Sequence, residues 1–107
     1  MHRNGMSSKE RALRSRLAQL VHATPLIRAT LNEREVTCGK KGCRCAQGER
    51  HAALYAVSSR EGKARQVFIA QERESLVRQW VANYHRVREL LEDLSELFWE
   101  QLRTKRR

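Results

Sequence analysis

The apolar positions of this chain fall into three periodic regimes, and each predicts an element. Between residues 8 and 22, Leu13, Leu17, Leu20 and Val21 recur at helical spacing, which predicts one amphipathic helix. Ser7 followed by Glu10 has the form of a capping box at its start. Thr24-Pro25 ends it, because the residue before a proline is pushed out of the α region. Residues 29–37 read Ala-Thr-Leu-Asn-Glu-Arg-Glu-Val-Thr. They are polar but hold β-branched residues, and predict a short, largely exposed strand.

Alternation then takes over. Residues 54–59 and 64–69 flank Arg60-Glu61-Gly62-Lys63. A two-residue Glu61-Gly62 loop would pair Arg60 with Lys63, Ala56 with Val67 and Leu54 with Ile69. That register collects Leu54, Ala56, Val67 and Ile69 on one face, expected to be the inner one, and Tyr55, Val57 and Phe68 on the other. With the strand before Cys38, the prediction is three antiparallel strands whose first two are joined by the cysteine-bearing loop.

The last third is helical throughout. Val77, Tyr84, Leu91 and Phe98 recur every seven residues, with Trp80, Val87, Leu94 and Gln101 at the partner position. Leu76, Val81, Leu90, Leu97 and Leu102 widen the stripe, and Trp99 lies outside it. Such a helix can cover the sheet and the first helix, or pair with a second copy of the chain. The expected fold class is α+β. One domain comprises a tail and helix over 1–28, a β-meander over 29–70 and a long helix with a basic tail over 71–107.

Charge narrows the partners. The 107 residues carry 22 Lys and Arg against 12 Asp and Glu, a net charge of +10. The excess is uneven: the middle of the chain and both ends are cationic, while residues 71–102 are mildly acidic. Arginine, suited to bidentate phosphate contacts, far outnumbers lysine. A polyanion, most simply nucleic acid, is the expected partner. No apolar run approaches the roughly 20 residues that span a bilayer. The start, Met1 to Ser7, has no apolar h-region, so no secretory signal and a cytoplasmic location are expected.

The candidate chemistry sits in one short segment. All three cysteines and one histidine fall in Cys38-Gly39-Lys40-Lys41-Gly42-Cys43-Arg44-Cys45-Ala46-Gln47-Gly48-Glu49-Arg50-His51. A reducing compartment makes metal binding likelier than disulfides for such a set. Cys38, Cys43, Cys45 and His51 supply the four soft or borderline ligands of a tetrahedral, structural Zn2+. Three unpaired thiols, a reactive thiolate activated by neighbouring cations and an iron–sulfur cluster are the alternatives. His51 completes the set locally, whereas His22 and His85 lie on predicted helices and His2 in the tail.

The same residues, Cys38-Gly39-Lys40-Lys41-Gly42-Cys43-Arg44-Cys45 and Gly48-Glu49-Arg50-His51, resemble a family of small uncharacterised prokaryotic proteins. Its pattern is C-G-K-x-x-C-x-C-x2-G-x-x-H, then a tyrosine-rich strand, a Gly-containing turn, a basic strand and a long helix. The resemblance spans residues 31–97 and implies an association with mobile genetic elements, but no catalytic mechanism. The chain departs from the pattern at Ala52-Ala53-Leu54, where Gly-Pro-Tyr is usual.

These features lead to a non-enzymatic expectation: a zinc-stabilised nucleic-acid-binding protein, accessory to or regulating a mobile element. Lys40, Lys41, Arg44 and Arg50 on the knuckle and Arg60, Lys63 and Arg65 on the hairpin are the candidate contacts. DNA is the foremost partner, with no membrane, and with homodimerisation through the C-terminal helix. The alternative is an interaction or oligomerisation adaptor working through that helix. A metalloenzyme is disfavoured, since a Cys3His set closes the coordination sphere that catalytic zinc keeps open.

Overall fold

A computed structural model describes residues 6–36 and 51–104. The order of elements is α1 (Ser8–Ala23), β1 (Thr30–Val36), β2 (His51–Arg60), β3 (Lys63–Ile69), a 3-10 turn (Gln71–Arg73) and α2 (Glu74–Arg103). The expected α+β architecture is thus present: an N-terminal helix, a three-stranded antiparallel sheet and a long C-terminal helix. The segment 37–50, and with it the knuckle, lies outside the described residues. No described helix is long and apolar enough to cross a membrane.

Both ends of α1 follow from local chemistry. The Ser7 hydroxyl accepts the Glu10 backbone N–H at 3.1 Å, occupying one of the four donors a helix start leaves unpaired. Thr24 adopts φ −127°, ψ 146°, as a residue before proline must. Its N–H and hydroxyl both donate to the Leu20 carbonyl, at 3.1 and 2.7 Å.

The strands lie in the order β1-β2-β3. All three hairpin pairs expected from alternation are formed: Arg60 with Lys63, Ala56 with Val67 and Leu54 with Ile69. The turn places Glu61 at φ 54° and Gly62 at φ 79°. Two successive positive φ values mark a type I′ turn, whose twist matches that of the flanking strands. β2 begins three residues earlier than alternation indicates, at His51. Ala52 and Ala53 pair with Glu35 and Arg34, positions that a Gly-Pro pair would fill poorly.

The described residues form two compact units. The first joins α1 to α2 from Ala82 onward. Its core is Leu20, Val87 and Leu90, with Leu13, Leu17 and Leu26 packed against it. Asn83, itself buried, donates to the Pro25 carbonyl at 3.0 Å and ties the chain after α1 to the helix. The buried stripe of α2 here keeps Val87 of the expected partner column but takes positions 83 and 90 in place of Tyr84 and Leu91. Leu91 and Phe98 are exposed. A single 16-residue helix covers only one stripe of so broad an apolar surface.

The second unit, Arg28–Val81, holds the sheet and the first turns of α2. Leu54 is 1% exposed, and Val77 and Val81 of this unit are buried too, while Ala53, also buried, lies on the other face of the sheet. Arg78 of α2 meets Glu33 of β1 at 2.9 Å. Because Glu33, Leu54 and Ile69 form one cross-strand row, this ion pair marks where the helix lies over the sheet. Val67 belongs to the next row toward the turn and is 57% exposed. The inner-face expectation therefore holds for Leu54 and fails for Val67.

Candidate nucleic-acid interface

Of the residues singled out from the sequence, Cys38, Cys43 and Cys45, with Lys40, Lys41, Arg44 and Arg50, lie outside the described residues. His51 is described in its backbone alone, as the first residue of β2 and the partner of Val36. Segment 37–50 therefore leaves and re-enters the sheet at directly opposed residues. Among the described residues there is no group of three or more side chains able to hold a metal ion.

The remaining three candidates come together. Arg60 opposes Lys63 and Ser58 opposes Arg65, so the parity of the ladder puts Arg60, Lys63 and Arg65 on one face at the tip of the β2–β3 hairpin. All three are exposed. Side chains directly opposite lie about 5 Å apart at Cβ, so this is concentrated positive charge on a hydrogen-bonded ladder. Glu61, in the turn itself, is the nearest carboxylate in sequence.

The other face of the sheet holds a group that periodicity alone does not bring out. Thr30, Asn32 and Arg34 alternate onto the same face as Tyr55, Val57, Gln66 and Phe68. Tyr55 and Phe68 sit edge to face, with ring centroids 5.7 Å apart and planes at 67°. The Arg34 guanidinium lies 4.5 Å above the centre of the Tyr55 ring and donates to Gln66 Oε1 at 2.6 Å. Arg28 donates to the Ser59 carbonyl. Phe68 is 58% exposed.

The carboxylates of β1 go elsewhere. Glu33 and Glu35 alternate onto the face that α2 covers, where Glu33 is engaged by Arg78. Among the described residues neither Arg28 nor Arg34 has an acidic partner. Among the described residues this face, the one that α2 leaves bare, therefore combines two aromatic rings, Arg34 and no strand carboxylate. Its signal in the sequence is the alternation of residues 30–35, which puts Arg34 on one face and Glu33 and Glu35 on the other. A second aromatic–arginine pair, Arg73 over Trp80 at 5.7 Å, lies at the start of α2.

A family described as a domain of unknown function (DUF6788) matches residues 6–79. The match takes in α1, all three strands and the first turns of α2. No curated protein and no solved structure matches the chain.

Proposed function

Since the chain belongs to this family of domains of unknown function, we propose from its own residues that it is a non-enzymatic, zinc-stabilised nucleic-acid-binding protein, with DNA as its partner. The observation that carries this is the convergence of Arg60, Lys63 and Arg65 at the hairpin tip in a chain of net charge +10. Rigidly held cations neutralise phosphates and release condensed counterions, which is the main source of sequence-independent affinity. Lys40, Lys41, Arg44 and Arg50 add to this charge from the adjoining segment.

Zn2+ would be held by Cys38, Cys43, Cys45 and His51. The opposition of Val36 and His51 supports this, since those two residues bracket the segment that holds the three cysteines. Thiolate ligands imply a reducing, cytoplasmic setting. The resemblance to proteins associated with mobile elements suggests an accessory or regulatory role there.

The test is a titration of the zinc-loaded protein with duplex DNA across a salt series. Affinity should fall linearly on a log–log scale. Replacing Arg60, Lys63 and Arg65 together by Gln should flatten the slope by up to about 0.9 for each phosphate that is no longer neutralised. No binding even at low salt would overturn the proposal.

A specific observation also favours the adaptor alternative. Leu91, Phe98, Trp99 and Leu102 are large, apolar and exposed on α2, more than single scattered hydrophobics require. A second copy of the chain is the simplest partner for them.

A further inference from the structure

We propose that the bare face of the sheet is a stacking platform for unpaired bases, so that the nucleic acid this protein prefers is single-stranded DNA. The proposal rests on the nucleic-acid function above and specifies which form of nucleic acid is bound, and where.

Three observations carry it. First, Phe68 is a large aromatic residue 58% exposed on a strand, with Tyr55 edge-on beside it at 5.7 Å. Strands hold ring planes at fixed positions, and an exposed ring on a sheet offers a π-face to any base. Second, Arg34 extends the apolar surface: its guanidinium is already parked over Tyr55 at 4.5 Å and fixed by Gln66. A guanidinium plane held in this way stacks with bases, and its remaining N–H groups stay available to phosphate. Third, the charge is complementary. Arg34 lies on this face, while Glu33 and Glu35 of the same strand lie on the opposite one.

Duplex DNA cannot use such a surface, because its bases are already stacked and presented edge-on in the grooves. A strand with free bases can place ring on ring and phosphate on arginine at once. The cationic hairpin tip, Arg60, Lys63 and Arg65, lies on the opposite face of the same sheet and supplies attraction common to both forms.

The experiment compares a dye-labelled oligo-dT of about a dozen nucleotides with a duplex of equal length and with oligo-U, using the full zinc-loaded chain. The expected result is tighter binding of oligo-dT than of duplex. Phe68→Ala should weaken oligo-dT roughly 5- to 150-fold, the range for loss of one stacked base, while leaving duplex affinity within about twofold. Phe68 is mostly exposed, so the substitution opens no core cavity, and Phe68→Trp should retain or tighten binding to oligo-dT.

Equal binding of oligo-dT by the parent and Phe68→Ala, with duplex binding intact, would overturn the platform and leave the proposed function standing. Absence of binding to any probe at low salt would overturn both. A tenfold preference for oligo-U over oligo-dT would overturn the assignment to DNA.

Discussion

Leu54 and Val67 lie on the same face of the same hairpin, yet they stand in different environments. Leu54, 1% exposed, sits in the row that α2 covers, and Val67, 57% exposed, sits one row beyond. Leu54→Ala should therefore cost about 2–5 kcal/mol, the range for emptying a packed site. Val67→Asp should cost only about 1 kcal/mol, mainly through strand preference. Chemical denaturation of the two variants checks the pair, and an unfolded Val67→Asp would place the core boundary elsewhere. Gly62 is the other sensitive residue. A Cβ there would meet nothing within 4 Å, but the backbone sits at φ +79°. Gly62→Ala should thus destabilise by about 1 kcal/mol through conformation alone, as thermal melts would show. Alternation in the sequence tells which residues share a face with Leu54. It cannot tell how far along that face the cover extends, because cover depends on where a helix distant in sequence lies.

At the scale of elements, the hairpin is the most legible part. A two-residue loop of residues able to adopt positive φ leaves one register that keeps both apolar sets together, and that register forms. The helix α2 is legible in extent but not in its seam. Its apolar residues occupy more than one stripe, so the sequence allows two seven-residue frames offset by one. Packing against α1 uses Val87 of the expected partner column with Leu90, one position before Leu91, and Leu91 and Phe98 are left outside. A prediction belongs to that leftover surface. Phe98→Glu should change the melting temperature of a dilute monomer little, since the side chain is exposed. If a second copy covers this stripe, the same variant should move the sedimentation coefficient toward the monomer. The bare face of the sheet escapes sequence reading for a related reason. Alternation puts Tyr55 and Phe68 on one face, but only the ion pair of Arg78 with Glu33 reveals that α2 takes the other side.

For the whole molecule, the proposed Zn2+ site carries the sharpest prediction. Stoichiometric zinc, one per chain, is the expected result of elemental analysis on reduced protein. Cys43→Ser should lower the melting temperature by more than about 10 °C, because ligand loss removes binding energy that is expressed as folding energy. Unchanged melting in the variant would separate the cysteines from the fold.

The linear order of three strands has a further consequence. β1 and β3 each have a ladder partner on one side only among the described strands. Unpaired strand edges template adhesion between molecules unless something repels the approach. β3 carries Lys63 and Arg65 and β1 carries Glu33, Arg34 and Glu35, so charge is the available gatekeeper. Such repulsion fades in brine, since the screening length falls from about 10 Å at 0.1 M salt to about 3 Å at 1 M. The salt that would strip the proposed polyanion from this protein is thus also the condition in which its sheets are least protected from one another, and precipitation should begin there first.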